Sequence, residues 1–83
     1  MDAKVFKVGI YSSDKTMFEG EAVSLIAPSE SGYLGVLADH APLVAKLAYG
    51  KITLRSPAGK VSEINSSPGG FLEVLKNQVT LLL

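Results

Sequence analysis

Apolar and polar positions alternate over Lys4 through Tyr11, with Phe6, Val8 and Ile10 on one side and Lys7 and Gly9 on the other. A period of two is that of a half-buried β-strand, so a strand is predicted here. Ser12-Ser13-Asp14-Lys15 follows as a turn, because Ser and Asp side chains bond nearby backbone and compete with a strand ladder. Met17 to Ala22 and Val23 to Ala27 continue as one extended region, with Gly20 marking a bulge or bend, and Pro28 to Gly32 form a loop. Leu34 to Leu37 reads as a short buried strand. Leu43, Val44 and Leu47 would also suit a turn or two of helix, but Pro42 and Gly50 leave little length for one, and Ala41 to Ala48 is assigned to strand.

The second half repeats the same grammar. Lys51 to Arg55 alternates, Ser56-Pro57-Ala58-Gly59 turns, and Lys60 to Ile64 returns, which is a hairpin by pattern and by turn residues. Ser67-Pro68-Gly69-Gly70 breaks the chain before Phe71 to Val74, Lys76-Asn77-Gln78 turns it, and Val79 to Leu83 ends it. At least seven short strands separated by turns predict an all-β antiparallel sandwich or barrel.

Composition narrows what such a domain can do. The 83 residues suit a single domain, 1–83, with one core. Eight Lys plus Arg balance eight Asp plus Glu, and the lysines are scattered, so neither nucleic acid nor an anionic membrane has a basic stripe to bind. With no cysteine there is no disulfide framework and no thiolate chemistry. Met1 to Lys7 carries charges where a secretory signal needs an apolar core, so no export signal is expected. No apolar stretch approaches the ~18 residues that span a bilayer, and a membrane is expected to be reached only through a partner.

Candidate chemistry is sparse. Asp39-His40 sets a carboxylate beside the one imidazole, yet neighbours on an extended loop point apart and no nucleophile elbow accompanies them. Glu19 and Glu21 can share a strand face, which is ordinarily a solvated face, and one His without Cys leaves no metal-ligand set. Pro68-Gly69-Gly70 lacks the Lys-Ser or Lys-Thr and the helix of a phosphate loop. Gly50-Lys51-Ile52 is a poor match to the lysine hairpin of a carrier domain. No cofactor is expected. Two loops instead suggest recognition: polar Glu30-Ser31-Gly32-Tyr33 and the small, apolar Asp39-His40-Ala41-Pro42-Leu43. On residue chemistry alone, contact loops and ordinary connections stand level.

Several blocks then occur in a definite order: Phe18-Glu19-Gly20-Glu21, Ala27-Pro28, Gly32-Tyr33-Leu34-Gly35-Val36-Leu37, His40-Ala41-Pro42-Leu43, Gly69-Gly70-Phe71-Leu72-Glu73-Val74 and Val79-Thr80. Their order and spacing resemble the N-terminal domain of the epsilon subunit of F-type ATP synthase, from about Phe6 to the last residue. Ala38-Asp39 stands where that family commonly reads Pro-Gly, and Pro68 where a serine or glycine is usual.

The resemblance implies a sandwich of two five-stranded antiparallel sheets in a non-catalytic central-stalk subunit that binds the gamma subunit and the polar loops of the c-ring. Carried over by position, Ser12, His40, Ala41, Pro42 and Leu43 would face gamma, and Glu30, Ser31, Gly32 and Tyr33 the c-ring. It also implies a peripheral place on the cytoplasmic face of the bacterial inner membrane. The C-terminal helical hairpin that inhibits ATP hydrolysis in relatives is not expected in these residues, nor is an ATP site. The rival expectations are a small ligand-binding β-module for nucleotide or carbohydrate, using Tyr33 and His40, and a minor hydrolase built on Asp39 and His40.

Overall fold

The computed structural model describes residues 4–83, so residues 1–3 of the expected domain, and with them the start of the segment read for an export signal, lie outside the described residues. Nine strands follow one another and no helix intervenes among the described residues. They are β1 (Phe6–Tyr11), β2 (Thr16–Ala22), β3 (Ser24–Ser29), β4 (Gly32–Leu37), β5 (Leu43–Lys46), β6 (Gly50–Arg55), β7 (Val61–Ser66), β8 (Phe71–Leu75) and β9 (Gln78–Leu82). One sheet has the order β2-β1-β9-β8-β5 and the other β4-β3-β6-β7. The all-β sandwich is as the sequence predicts.

Alternation decides what each strand buries. Phe6, Val8 and Ile10 of β1, Leu72 and Val74 of β8, and Val79 and Leu81 of β9 turn to the interior from the first sheet. Leu25, Ala27, Val36, Ile52 and Leu54 meet them from the second. Each fully buried Leu, Ile or Phe contributes about 2 kcal/mol of apolar transfer, so these two rows are what hold the sheets together. Gly70 lies so close to the Leu82 carbonyl that any Cβ would collide with it, which explains a glycine immediately before β8.

Several expectations need correction. The sheets have five and four strands, not five each, because the chain beyond β5 reaches β3 through only one bridge, Ser29 to Leu47. Two flanking backbone bonds, Ala48 N–H to Pro28 O and Glu30 N–H to Lys46 O, stitch the sheets together there without making a further ladder. Nor is every pairing antiparallel, since β1 and β9 run parallel from Lys7 beside Gln78 to Tyr11 beside Leu82. The region read as one extended segment divides at Val23, with β2 in one sheet and β3 in the other. The irregularity lies not at Gly20, which pairs with Val8, but at Met17, the extra residue between the Ile10–Phe18 and Tyr11–Thr16 pairs. Pro28 is inside β3 and the loop shrinks to a two-residue tip, Glu30-Ser31. β4 is an edge strand on which Val36 alone is fully buried.

Candidate contact surface

The strand registers fix where each candidate residue stands. Tyr11, Leu82, Phe71 and Lys46 form one transverse row across β1, β9, β8 and β5. Ser12 continues from Tyr11 at that end of the sheet, and three strand spacings put it about 14 Å from β5. Its N–H donates to the Lys15 carbonyl at 2.9 Å and its hydroxyl donates to Asp14 Oδ1 at 3.1 Å, so it closes the β1–β2 turn. Leu43 begins β5 at the opposite end, about 10 Å along the strand from Lys46. Ser12 and the His40–Leu43 segment are therefore not brought together but occupy diagonal corners.

Within that segment Ala41 and Pro42 are exposed, whereas Leu43 packs against the core. His40 is half-buried, with Nδ1 at 2.7 Å from the Ala41 carbonyl oxygen. The Asp39 carboxylate lies 3.3 Å from Lys4 Nζ. With Asp39 turned to a lysine and His40 to its neighbour's backbone, the two do not form the relay a hydrolase needs. Asp39 also takes a left-handed φ of 62°, the conformation a glycine supplies without strain and an aspartate tolerates.

The polar quartet divides as well. Glu30 and Ser31 form the exposed tip of the β3–β4 hairpin, and the Glu30 N–H bond to the Lys46 carbonyl, 3.1 Å, anchors it beside the end of β5. Ser29 organises the tip from within: its hydroxyl donates to the Gly32 carbonyl and accepts from the Ser31 N–H. Gly32, at φ 114°, closes the turn in a region glycine alone enters freely. Tyr33 leaves the tip for the outer face of the four-stranded sheet, where its ring lies across Pro28 toward Gly50. Tyr33 and His40, the pair a ligand site would need, are separated by the length of β4, more than about 13 Å.

Between the two diagonal corners lies a surface that the sequence reading passed over. Val44, Phe71 and Leu82 point outward from the five-stranded sheet at 66%, 46% and 53% exposure. Together with Glu73 and Thr80 they line a shallow depression of about 210 Å³. The signal was present in the parity of β8 and β9: Phe71 and Leu82 share the outward parity of Glu73 and Thr80, which makes them apolar residues on the wet side of a strand. A second groove, about 320 Å³, runs between the hairpin tip and β5, lined by Glu30, Ser31, Leu34, Leu43 and Lys46 among others. Among the described residues no group of three or more His, Cys, Asp or Glu side chains is placed to hold a metal ion.

Known proteins supply the family. The chain is 39% identical over 82 residues to the ATP synthase epsilon chain of Leptospira interrogans, covering 99% of this chain and 63% of that one. It is 42% identical over 77 residues to the ATP synthase epsilon chain of Dichelobacter nodosus, covering 93% of this chain and 53% of that one. The chain thus spans between about half and three-fifths of the length of these curated relatives. Its fold matches a chain in the cryo-EM structure of Euglena gracilis mitochondrial ATP synthase, OSCP/F1/c-ring in rotational state 1, with a TM-score of 0.83 at 23% identity over 90% of this chain and 48% of that chain. A chain in the Tetrahymena thermophila mitochondrial ATP synthase central stalk/c-ring structure matches with a TM-score of 0.76 at 14% identity over 92% of this chain and 60% of that chain. Residues 5–83 match the family described as ATP synthase, Delta/Epsilon chain, beta-sandwich domain, and the chain belongs to that family.

Proposed function

We propose that this chain, as a single β-sandwich domain over 1–83, is the non-catalytic contact module of a central-stalk subunit of an F-type ATP synthase. It links the gamma subunit to the c-ring so that ion-driven rotation is coupled to ATP synthesis. Membership of the family carries the reading. Two features of the surface support it.

The first is the outer face of the five-stranded sheet. Ser12 and the His40–Pro42 loop flank its diagonal corners, which lie about 17 Å apart between Tyr11 and Leu43, and a standard interface of about 800 Å² per partner spans that distance. The exposed Val44, Phe71 and Leu82 between them supply the apolar centre such an interface needs. This is the gamma-facing side in our reading, with Ser12, His40, Ala41 and Pro42 at its rim and Leu43 supporting the rim from beneath. The second is the hairpin tip, where Glu30, Ser31 and Gly32 present polar groups suited to polar loops of the c-ring, and Tyr33 flanks them. The domain acts at the cytoplasmic face of a bacterial inner membrane, held there through the complex.

Co-elution with the cognate, folded gamma subunit tests the reading. A stable complex is expected, weakened but not abolished by His40→Ala, and the absence of any complex overturns it. Calorimetry against ATP and a panel of sugars is expected to be silent, whereas a saturable signal would favour a ligand-binding module.

A further inference from the structure

The loop from Ala38 to Pro42 is held by a side chain that neither the family blocks nor the interface reading uses. Lys76 and Asn77 form the two-residue β8–β9 turn, both at positive φ, 50° and 60°. Two such residues make the hairpin turn whose twist matches the strands, and asparagine is among the few side-chain-bearing residues that enter this region readily. A glycine would serve the turn equally well.

What glycine lacks is the amide. Asn77 Oδ1 accepts the N–H of Asp39 at 2.8 Å, and Asn77 Nδ2 donates to the Val5 carbonyl at 2.8 Å. The reverse orientation of the amide would set donor against donor and acceptor against acceptor, so both bonds select one orientation. Its own carbonyl accepts from the Lys7 N–H at 3.2 Å. One residue therefore joins three segments: the start of β1, the β8–β9 turn, and the loop after β4. Among the described residues, the hydrogen bonds that fasten 38–42 to the rest of the fold end on Asp39: the Asn77 bond and the Lys4 contact. The lysine pair is solvent-exposed on both sides, 81% and 63%, and such pairs hold little. Of these two polar contacts the Asn77 bond is the stronger restraint, and it acts beside the packing of Ala38 against the core.

We propose that Asn77 is the positioning residue of this loop, holding Asp39 in its left-handed conformation so that His40, Ala41 and Pro42 are presented already ordered. The inference rests on the proposed gamma-facing role of the loop. Preordering spares the complex the entropy of fixing the loop on binding.

Amide hydrogen exchange by NMR, together with titration of the full chain into folded gamma subunit, tests it in Asn77→Gly and Asn77→Asp. The glycine keeps the turn and removes both side-chain bonds, while the aspartate keeps the acceptor for Asp39. In Asn77→Gly, exchange at the Asp39 amide is expected to rise about tenfold, with Val79 and Leu81 amides unchanged, and affinity for gamma to fall about tenfold. Asn77→Asp keeps the acceptor for Asp39 but sets a carboxylate oxygen against the Val5 carbonyl, so protection at Asp39 and affinity for gamma are expected to lie between those of the wild type and of Asn77→Gly. The proposal is overturned if Asp39 exchange is unaffected by the glycine, if exchange rises equally at Val79 and Leu81, or if affinity persists once the Asp39 amide is released. A wild-type chain that binds no gamma would defeat the interface reading instead, and the Asp39 amide would then decide the role of Asn77 by itself.

Discussion

Tyr11 shows how much a single side chain settles on a β-surface. Its ring folds back over Gly9, filling the space a Cβ would take, and its hydroxyl donates to Glu19 Oε2 at 2.8 Å on the neighbouring strand. That hydrogen bond, then desolvation and the nearby carboxylate charge, raise the phenol above its usual value near 10. A folded phenol that keeps its proton more tightly than the unfolded one stabilises the fold fully below the unfolded value and loses that contribution as pH rises through the folded value. Urea unfolding should therefore show a stability gap between wild type and Tyr11→Phe that is constant up to about pH 10 and shrinks above it. A gap that widened with alkalinity would exclude the Glu19 bond as its source. Ser66 is the opposite case, a buried hydroxyl at the end of β7 with no hydrogen-bond partner among the described residues. Replacing it with alanine should leave stability unchanged or raise it by up to about 1 kcal/mol in the same assay, whereas a loss of that size would show that the hydroxyl has found a partner. Neither Tyr11 nor Ser66 was legible in advance, because a hydrogen bond between strands depends on register rather than on residue type.

At the scale of the element, parity governs. β9 carries Leu81 at 0% exposure and Leu82 at 53%, adjacent residues of identical chemistry on opposite faces. Leu81→Ala should cost about 2–5 kcal/mol in urea-induced unfolding, and Leu82→Ala under about 1 kcal/mol. If Leu82 lies at the gamma interface, its variant loses affinity rather than stability, which separates the two roles on one strand. Strands β6, β8 and β9 could be read from alternation because each turns one face to the core and the other toward water, and β1 could be read from its inward row of Phe6, Val8 and Ile10. β2 and β3 could not be separated, since the change of sheet at Val23 involves no turn residue. The hairpin tip was placed correctly but drawn too wide, because Pro28 ordinarily signals a loop and here lies within β3, paired with Tyr33.

At the scale of the whole sandwich, the first strand closes on the last. β1 pairs in parallel with β9, so the first strand cannot complete its sheet until the last is present. β9 is also the centre of the five-stranded sheet, between β1 and β8. Deleting residues 78–83 should therefore abolish cooperative folding rather than trim an edge, read as loss of the unfolding transition and of dispersed amide signals. A truncated chain that still melted cooperatively would show that the remaining strands form a sheet without it. The same closure shapes the candidate contact surface. Ser12 and His40 look like separate loops in the sequence and prove to be opposite corners of one face, with an apolar strip between them.

The sequence by itself determined the all-β class, most of the strands and the turns that separate them, because alternation and turn chemistry act between residues near in the chain. Its ordered blocks also pointed to the family before any fold was known. Only the tertiary structure decided the pairing of β1 with β9, the five-and-four division of the sheets, the exposure of Val44, Phe71 and Leu82, and the hold of Asn77 on Asp39. Each of these joins segments far apart in the chain, and such contacts are set by which faces must be buried together and not by any local preference.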